Sequence, residues 1–317
     1  MSNKDVTRQF GLLLTDGFAL MSYASLVEPF RAANVLAGTT LYRWQHISID
    51  GRPVAASNGA NIIADRAVGD PLDCDTLFVF AAGDPASFSD ARTFAWLREM
   101  ARSGTTVGGV SGGPFLLAQA GLLDGYRATI HWDHQAVFAE RFPIVALTPG
   151  LYVIDRRRVT CAGGTAGLDL AIELIEREQG HALAARVSDW FIRTEIRGAD
   201  KPQRLSLRDR YAITNDRVLK ALAHMEAMVE EPASRAELAG IAGVSVRQLE
   251  RLFLAQLGET VNQAYLRIRL NQAEDLVRKT GLSGTAIALA CGFRNSSHFS
   301  RVFKSRFGHP PSRFERG

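Results

Sequence analysis

A serine set among glycines is the first place in this chain where chemistry could happen. In Gly108-Gly109-Val110-Ser111-Gly112-Gly113-Pro114-Phe115 an apolar run ends at Val110, one residue takes a tight turn, and a helix opens with proline near its first position. Such an elbow presents residue 111 at the carboxyl edge of a sheet. It aims a helix dipole, and the free N–H groups of Gly112 and Gly113, at whatever lies there. An enzyme can display a nucleophile this way, and a binding protein can hold an anionic group this way. A serine hydroxyl attacks only when an oriented base takes its proton. His131 is a conceivable base, but no third, orienting group is identifiable. Trp132 could offer its ring face to a cationic ligand head, or lie in the core while Asp133 caps the next helix. Glu28 reads equally as a cleft carboxylate or a helix-surface one. Phe18, Tyr23 and Phe115 could complete an aromatic box or could simply pack.

The second chemistry is recognition of nucleic acid. One pattern occurs twice: Leu238-Ala239-Gly240-Ile241-Ala242-Gly243-Val244 with Leu249, Arg251, Phe253 and Gly258, then Ile287-Ala288-Leu289-Ala290-Cys291-Gly292-Phe293 with Phe299, Arg301, Phe303 and Gly308. The register is 49 residues up to the glycines Gly243 and Gly292 and 50 from Leu249 and Phe299 onward, so one residue is inserted just after the glycine. Each copy has the layout of a helix-turn-helix. A helical period places Leu249, Leu252 and Phe253 inward and leaves Arg247, Gln248, Glu250 and Arg251 to DNA. In the second copy Phe299, Val302 and Phe303 are inward, and Ser296, Ser297, His298, Ser300 and Arg301 are available. Arginine reads guanine and glutamate accepts from cytosine, whereas Lys304, Arg306 and Arg269 suit phosphates.

The elements that must hold these groups are legible in outline. Between the two copies, Thr260 to Thr280 carries apolar residues at helical steps. A helix of that length spans roughly 30 Å, near the ~34 Å that separates successive major grooves on one face of DNA. Ser234/Glu237, Ser245/Gln248 and Thr260/Gln263 read as capping boxes. Upstream, strands are expected at 10–14, 42–49, 76–82, 105–110, 145–148, 151–154 and 158–161. Helices are expected at 22–37 (interrupted near Pro29), 89–101, 113–120, 165–178 and 180–192. That alternation predicts a parallel-sheet α/β sandwich over 1–193. A polar linker at 194–211 and an all-α domain with two helix-turn-helix motifs at 212–317 follow.

Residues 212–316 resemble the DNA-binding domain of the AraC/XylS family of bacterial transcription regulators, most specifically from Ala290 through Pro310-Pro311. The elbow, with Ala118, Ala120-Gly121-Leu122-Leu123-Asp124-Gly125, Ala128-Thr129 and His131-Trp132, is similar to the class I glutamine amidotransferase-like (PfpI-type) superfamily over about residues 8–190, in the branch fused to such DNA-binding domains. The resemblance implies a flavodoxin-like fold. Its catalytic members carry a cysteine at the elbow and a supporting carboxylate on the helix after the first strand. Those positions are Ser111 and Ser22 in this chain. It also implies an effector such as an amino-acid derivative or a quaternary amine, betaine or carnitine for example.

The charge divides in the same sense. Residues 204–317 hold 18 Lys and Arg against 11 Asp and Glu, a net +7, while residues 1–203 hold 19 against 22, a net −3. Counterion release from DNA favours such a concentration of positive charge. Cys74, Cys161 and Cys291 are scattered, so neither a disulfide framework nor a metal site is expected. No cofactor is implied. With no apolar run of 18 residues and no signal-peptide layout at Met1-Ser2-Asn3-Lys4-Asp5, a cytoplasmic protein is expected. The sum is a transcription regulator, read as an activator and not an enzyme. It would bind double-stranded DNA and a small-molecule effector in ligand-contacting residues Ser22, Glu28, Ser111, Gly112, Gly113, Phe115, His131 and Trp132. RNA polymerase and a second copy of the chain are further expected partners. The alternative is an amidase using Ser111 and His131.

Overall fold

Leu12 and Leu14 serve one core and Leu13 another, and the same alternation separates Phe78 and Phe80 from Leu77 and Val79. Strands with both faces apolar must be covered on both sides, and a three-layer sandwich results. The strands are β1 (Arg8–Leu14), β2 (Tyr42–Ser48), β3 (Val54–Ala55), β4 (Asn61–Ile62), β5 (Arg66–Ala67), β6 (Thr76–Ala81), β7 (Thr106–Ser111), β8 (Arg127–Ala128), β9 (Ala146–Leu147), β10 (Tyr152–Asp155) and β11 (Arg158–Cys161). Seven of them form the main sheet in the order β10-β11-β7-β6-β1-β2-β5. Its pairings are parallel except for the edge hairpin β10–β11, which makes the sheet mixed. Helices α1 (Leu20–Ala37), α5 (Ala166–Gln179) and α6 (His181–Trp190) cover one face. Helices α2 (Ala91–Arg102), α3 (Gly113–Gln119) and α4 (Gln135–Arg141) cover the other. The computed structural model describes residues 7–279 and 282–313.

Pro29 does not interrupt its helix, contrary to expectation. α1 runs through it to Gly38 in the left-handed region. Proline removes one hydrogen bond, but Leu26, Val27, Phe30, Ala32 and Ala33 around it are buried, and that packing holds the helix together.

The polar stretch expected to be a linker from residue 194 behaves differently. The chain divides into compact units at Arg204/Leu205, and 193–204 is a strap bound to the first unit. Arg193 and Arg197 each pair with Asp169 at 2.5 Å, and that carboxylate is 0% exposed. Leu151 donates to the Ala199 carbonyl at 2.8 Å. The Gln203 amide reaches Thr129, Ile130 and Gly150 at 2.8–3.1 Å.

The second unit contains α7 (Leu207–Tyr211), α8 (Asp216–Ala227), α9 (Arg235–Ala242), α10 (Val246–Leu257), α11 (Val261–Lys279), α12 (Gly284–Ala290) and α13 (Ser296–Phe307). All three capping boxes are present, the third as reciprocal bonds between Thr260 and Gln263. Residues Val261, Ala264, Tyr265 and Ile268 of α11 belong to one core, with α8–α10. Leu270 and Ala273 belong to another, with α12 and α13. At 19 residues the helix is about 28 Å long. Thr280, the expected far end of the rod, lies outside the described residues. None of the helices among them is long and apolar enough to cross a membrane.

Candidate ligand elbow and DNA interface

Ser111 ends β7 with φ 61°, in the left-handed region that a side chain rarely adopts, and is 7% exposed. Strain of this kind persists only where the surroundings impose it, and glycines impose it here. A Cβ on Gly109 would meet Pro114 N at 2.5 Å, and one on Gly113 would run into the Val79 carbonyl. Helix α3 therefore sits tightly against the sheet, and the turn must be sharp.

The first turn of α1, the β11–α5 loop and the segment at His131 meet at this elbow. Ser22 Oγ and Ser111 Cβ both lie 2.7 Å from where a Gly163 Cβ would be, so only glycine fits between them. The Ser22 hydroxyl accepts the Gly164 N–H at 2.8 Å. No hydrogen bond with a described residue engages the Ser111 hydroxyl. His131 approaches through its backbone, donating its N–H to the Ser111 carbonyl at 3.4 Å, and its Nδ1 accepts the Asp133 N–H. Trp132 is 38% exposed and lies next to the His131 ring, 5.4 Å away centroid to centroid.

Four of those readings do not hold at this point. Gly112 N–H is not free for a ligand, because it donates to the Ala81 carbonyl at 2.8 Å and extends the β6–β7 ladder by one bond. Outside the bonds of helix α3, no backbone bond with a described residue engages the Gly113 N–H. Phe115 lies on the opposite side of the sheet, 1% exposed, packed edge-on against Phe138 and Phe142. Phe18 and Tyr23 do meet, at 5.8 Å, but Phe18 is core and no box closes. Glu28 is held by Arg31 at 2.7 Å on the helix surface.

The cysteines offer no replacement nucleophile. Burial pushes the Cys161 and Cys291 thiols up to about 12 and Cys74 to about 11, so all three stay protonated.

In the second unit the inserted residue is visible. Ser245 caps α10 two residues after Gly243, whereas Asn295 caps α13 three residues after Gly292. Both second helices are 12 residues long, with Leu249 and Phe253, or Phe299 and Phe303, buried beneath them. Arg247, Gln248, Arg251, Ser296, Ser297, His298, Arg301 and Lys304 are exposed, and Ser300 is half-buried. The Gln248 amide oxygen is engaged in the capping box.

Glu250, expected to face DNA, instead accepts the Val261 N–H at 3.1 Å and pairs with Arg235. It joins α9, α10 and α11. Arg269, expected on phosphate, donates to the Cys291 carbonyl at 2.7 Å with its guanidinium 4.0 Å from the Phe293 ring centroid. It fastens the second helix-turn-helix to the long helix. Arg294 was missed by the helical period because it is the inserted residue; it is exposed and sits just before the Asn295 cap.

Residues 10–177 match the DJ-1/PfpI family and residues 238–317 a helix-turn-helix domain. The HTH-type transcriptional regulator CdhR of Pseudomonas aeruginosa is 42% identical over 97% of this chain and 91% of its own length. The chain belongs to the AraC-type transcriptional regulators that carry a DJ-1/PfpI domain. GlxA of Rhizobium meliloti, another HTH-type regulator, is 39% identical to this regulator over 98% of the chain and 96% of the relative. Among solved structures, an AraC family transcriptional regulator from Pseudomonas putida matches at a TM-score of 0.53 and 24% identity, over 58% of this chain and 99% of that one. Drosophila melanogaster DJ-1beta matches at 0.51 and 16%, over 60% and 100%. At those identities the likeness concerns the fold alone. The regulator is thus a DNA-binding protein of transcription control built on a DJ-1/PfpI domain.

Proposed function

We propose that this regulator is a cytoplasmic transcription activator whose elbow binds a small effector and performs no chemistry. The observation that carries the reading is the state of Ser22. Where catalytic relatives are expected to hold a carboxylate, a hydroxyl is tied to the Gly164 N–H. Without a group to draw its proton, Ser111 remains a weak nucleophile and a good hydrogen-bonding partner. Ser22, Ser111, Gly113, His131 and Trp132 form the proposed contact set, with an amino-acid derivative or a quaternary amine such as betaine or carnitine as effector. Purified protein is expected to melt several degrees higher with the cognate compound in large excess over its Kd, since 100-fold excess contributes about 2.7 kcal/mol. It should hydrolyse neither small amides nor esters. Turnover abolished by Ser111→Ala would overturn the sensor reading in favour of an amidase.

Double-stranded operator DNA is the proposed ligand of the second unit, through Arg247, Gln248, Arg251, Ser296, Ser297, His298, Ser300, Arg301 and Lys304, with Arg294 added. Arg247→Ala is expected to relax preference at one base position, by about 1–3 kcal/mol of discrimination. Lys304→Ala should instead weaken binding to every sequence and lower the salt slope by about one. Equal, sequence-independent losses in a binding-site selection would refute this division. Pairing of two copies through the first unit would raise effective concentration at paired sites, and contact with RNA polymerase would turn occupancy into activation.

A further inference from the structure

The strap that ends the first unit finishes on the exposed face of Trp132. The Arg204 guanidinium lies 4.5 Å from that ring's centroid. Arg204 makes no other hydrogen bond or ion pair among the described residues. Next to it, the Gln203 amide nitrogen donates to three acceptors while its buried Oε1 has no partner. An anchor satisfied on one side only is held weakly for its burial. The residue after Arg204 is the first of the second unit. On the other side, His131 joins Trp132 to the Ser111 carbonyl.

A cation over an indole face is the contact that a quaternary ammonium head would itself make. From this geometry we infer that Arg204 is a built-in occupant of a cation subsite on Trp132, and that a cationic effector takes its place and frees the end of the strap. The inference rests on the effector-binding reading above and gives it an output. A compound that needs the Trp132 face cannot bind while Arg204 holds it, so its apparent affinity is reduced by the fraction of molecules with Arg204 seated. Displacement then loosens 198–206, the segment that leads into the DNA-binding unit.

The test uses the full chain and tetramethylammonium chloride, titrated against matched sodium chloride and followed by the Trp132 indole N–H signal. Trp132→Leu assigns that signal. Arg204→Ala should lower the apparent Kd by about two- to tenfold, the worth of one cation–π contact at a partly exposed ring, and Arg204→Lys should recover part of the difference. Amide exchange across 198–206 should rise in wild type on saturation with the probe. It should already be raised in Arg204→Ala and Trp132→Leu, with no further rise on adding the probe. Equal Kd values in wild type and Arg204→Ala, an indole signal that responds no more than to sodium chloride, or strap exchange indifferent to Arg204→Ala would each overturn the inference. A compound that raises the melting temperature of wild type and Arg204→Ala alike would leave effector binding at the elbow standing. Failure of every compound in that screen would remove the effector reading itself.

Discussion

Asp169→Ala is expected to destabilise the first unit by about 3–5 kcal/mol, the cost of leaving buried charges without their partner. Asp169 is fully buried on α5 and receives both Arg193 and Arg197, and its Oδ1 also accepts the Arg197 backbone N–H at 3.2 Å. The arginines are partly exposed, at 15% and 32%, so water recovers some of the loss and the lower end of the range is the better guide. For a unit of this size that corresponds to a fall in Tm of roughly 10 °C. The two units can melt separately, so the first unit's own transition should be followed by calorimetry. Amide exchange over 193–204 should rise in step. An unchanged transition with a protected strap would show that the strap is held by something other than this carboxylate.

Phe299→Ala should cost a similar amount but in a smaller core, with a larger functional consequence. Phe299 is 0% exposed, with Phe293 and Phe303 rings at 5.1 and 5.5 Å. Removing a buried phenyl ring costs about 3–5 kcal/mol. The second helix-turn-helix has a core of its own, distinct from that around Phe253, so the loss falls on α12 and α13. We expect operator affinity, measured by fluorescence anisotropy, to fall at least about a hundredfold, because half of the proposed contact surface is no longer presented. Alanine at exposed Ser305 is the control and should change affinity little. Wild-type affinity in Phe299→Ala would mean that the second motif is not used to grip DNA.

Much of the architecture was legible because it depends on local pattern. The apolar runs around Leu12, Phe78 and Val110 specify buried strands, and the capping boxes specify helix starts in the second unit. The doubled pattern even carried the extra residue that shifts the second cap from two residues after its glycine to three. What escaped depends on distant partners. Glu250 and Arg269 stand at helix positions that a periodic reading leaves open, but the Val261 N–H and the Cys291 carbonyl claim them. Phe115 has the right sequence distance from Ser111 and the wrong side of the sheet. The strap misled for the opposite reason. Its arginines and Gln203 look like solvated linker until Asp169 and the Gly150 carbonyl are seen to receive them. Polarity in a sequence does not distinguish a group facing water from one facing a buried counterpart.

In the proposed mode of binding, one chain carries two probes spaced for neighbouring grooves on one face of the duplex. Hydroxyl-radical footprinting of the full chain on a selected operator tests it most directly. Two protected segments per bound chain are expected, centred one helical turn apart, roughly 10–10.5 base pairs. A single protected segment per chain, unchanged when the second motif is disabled by Phe299→Ala, would contradict it.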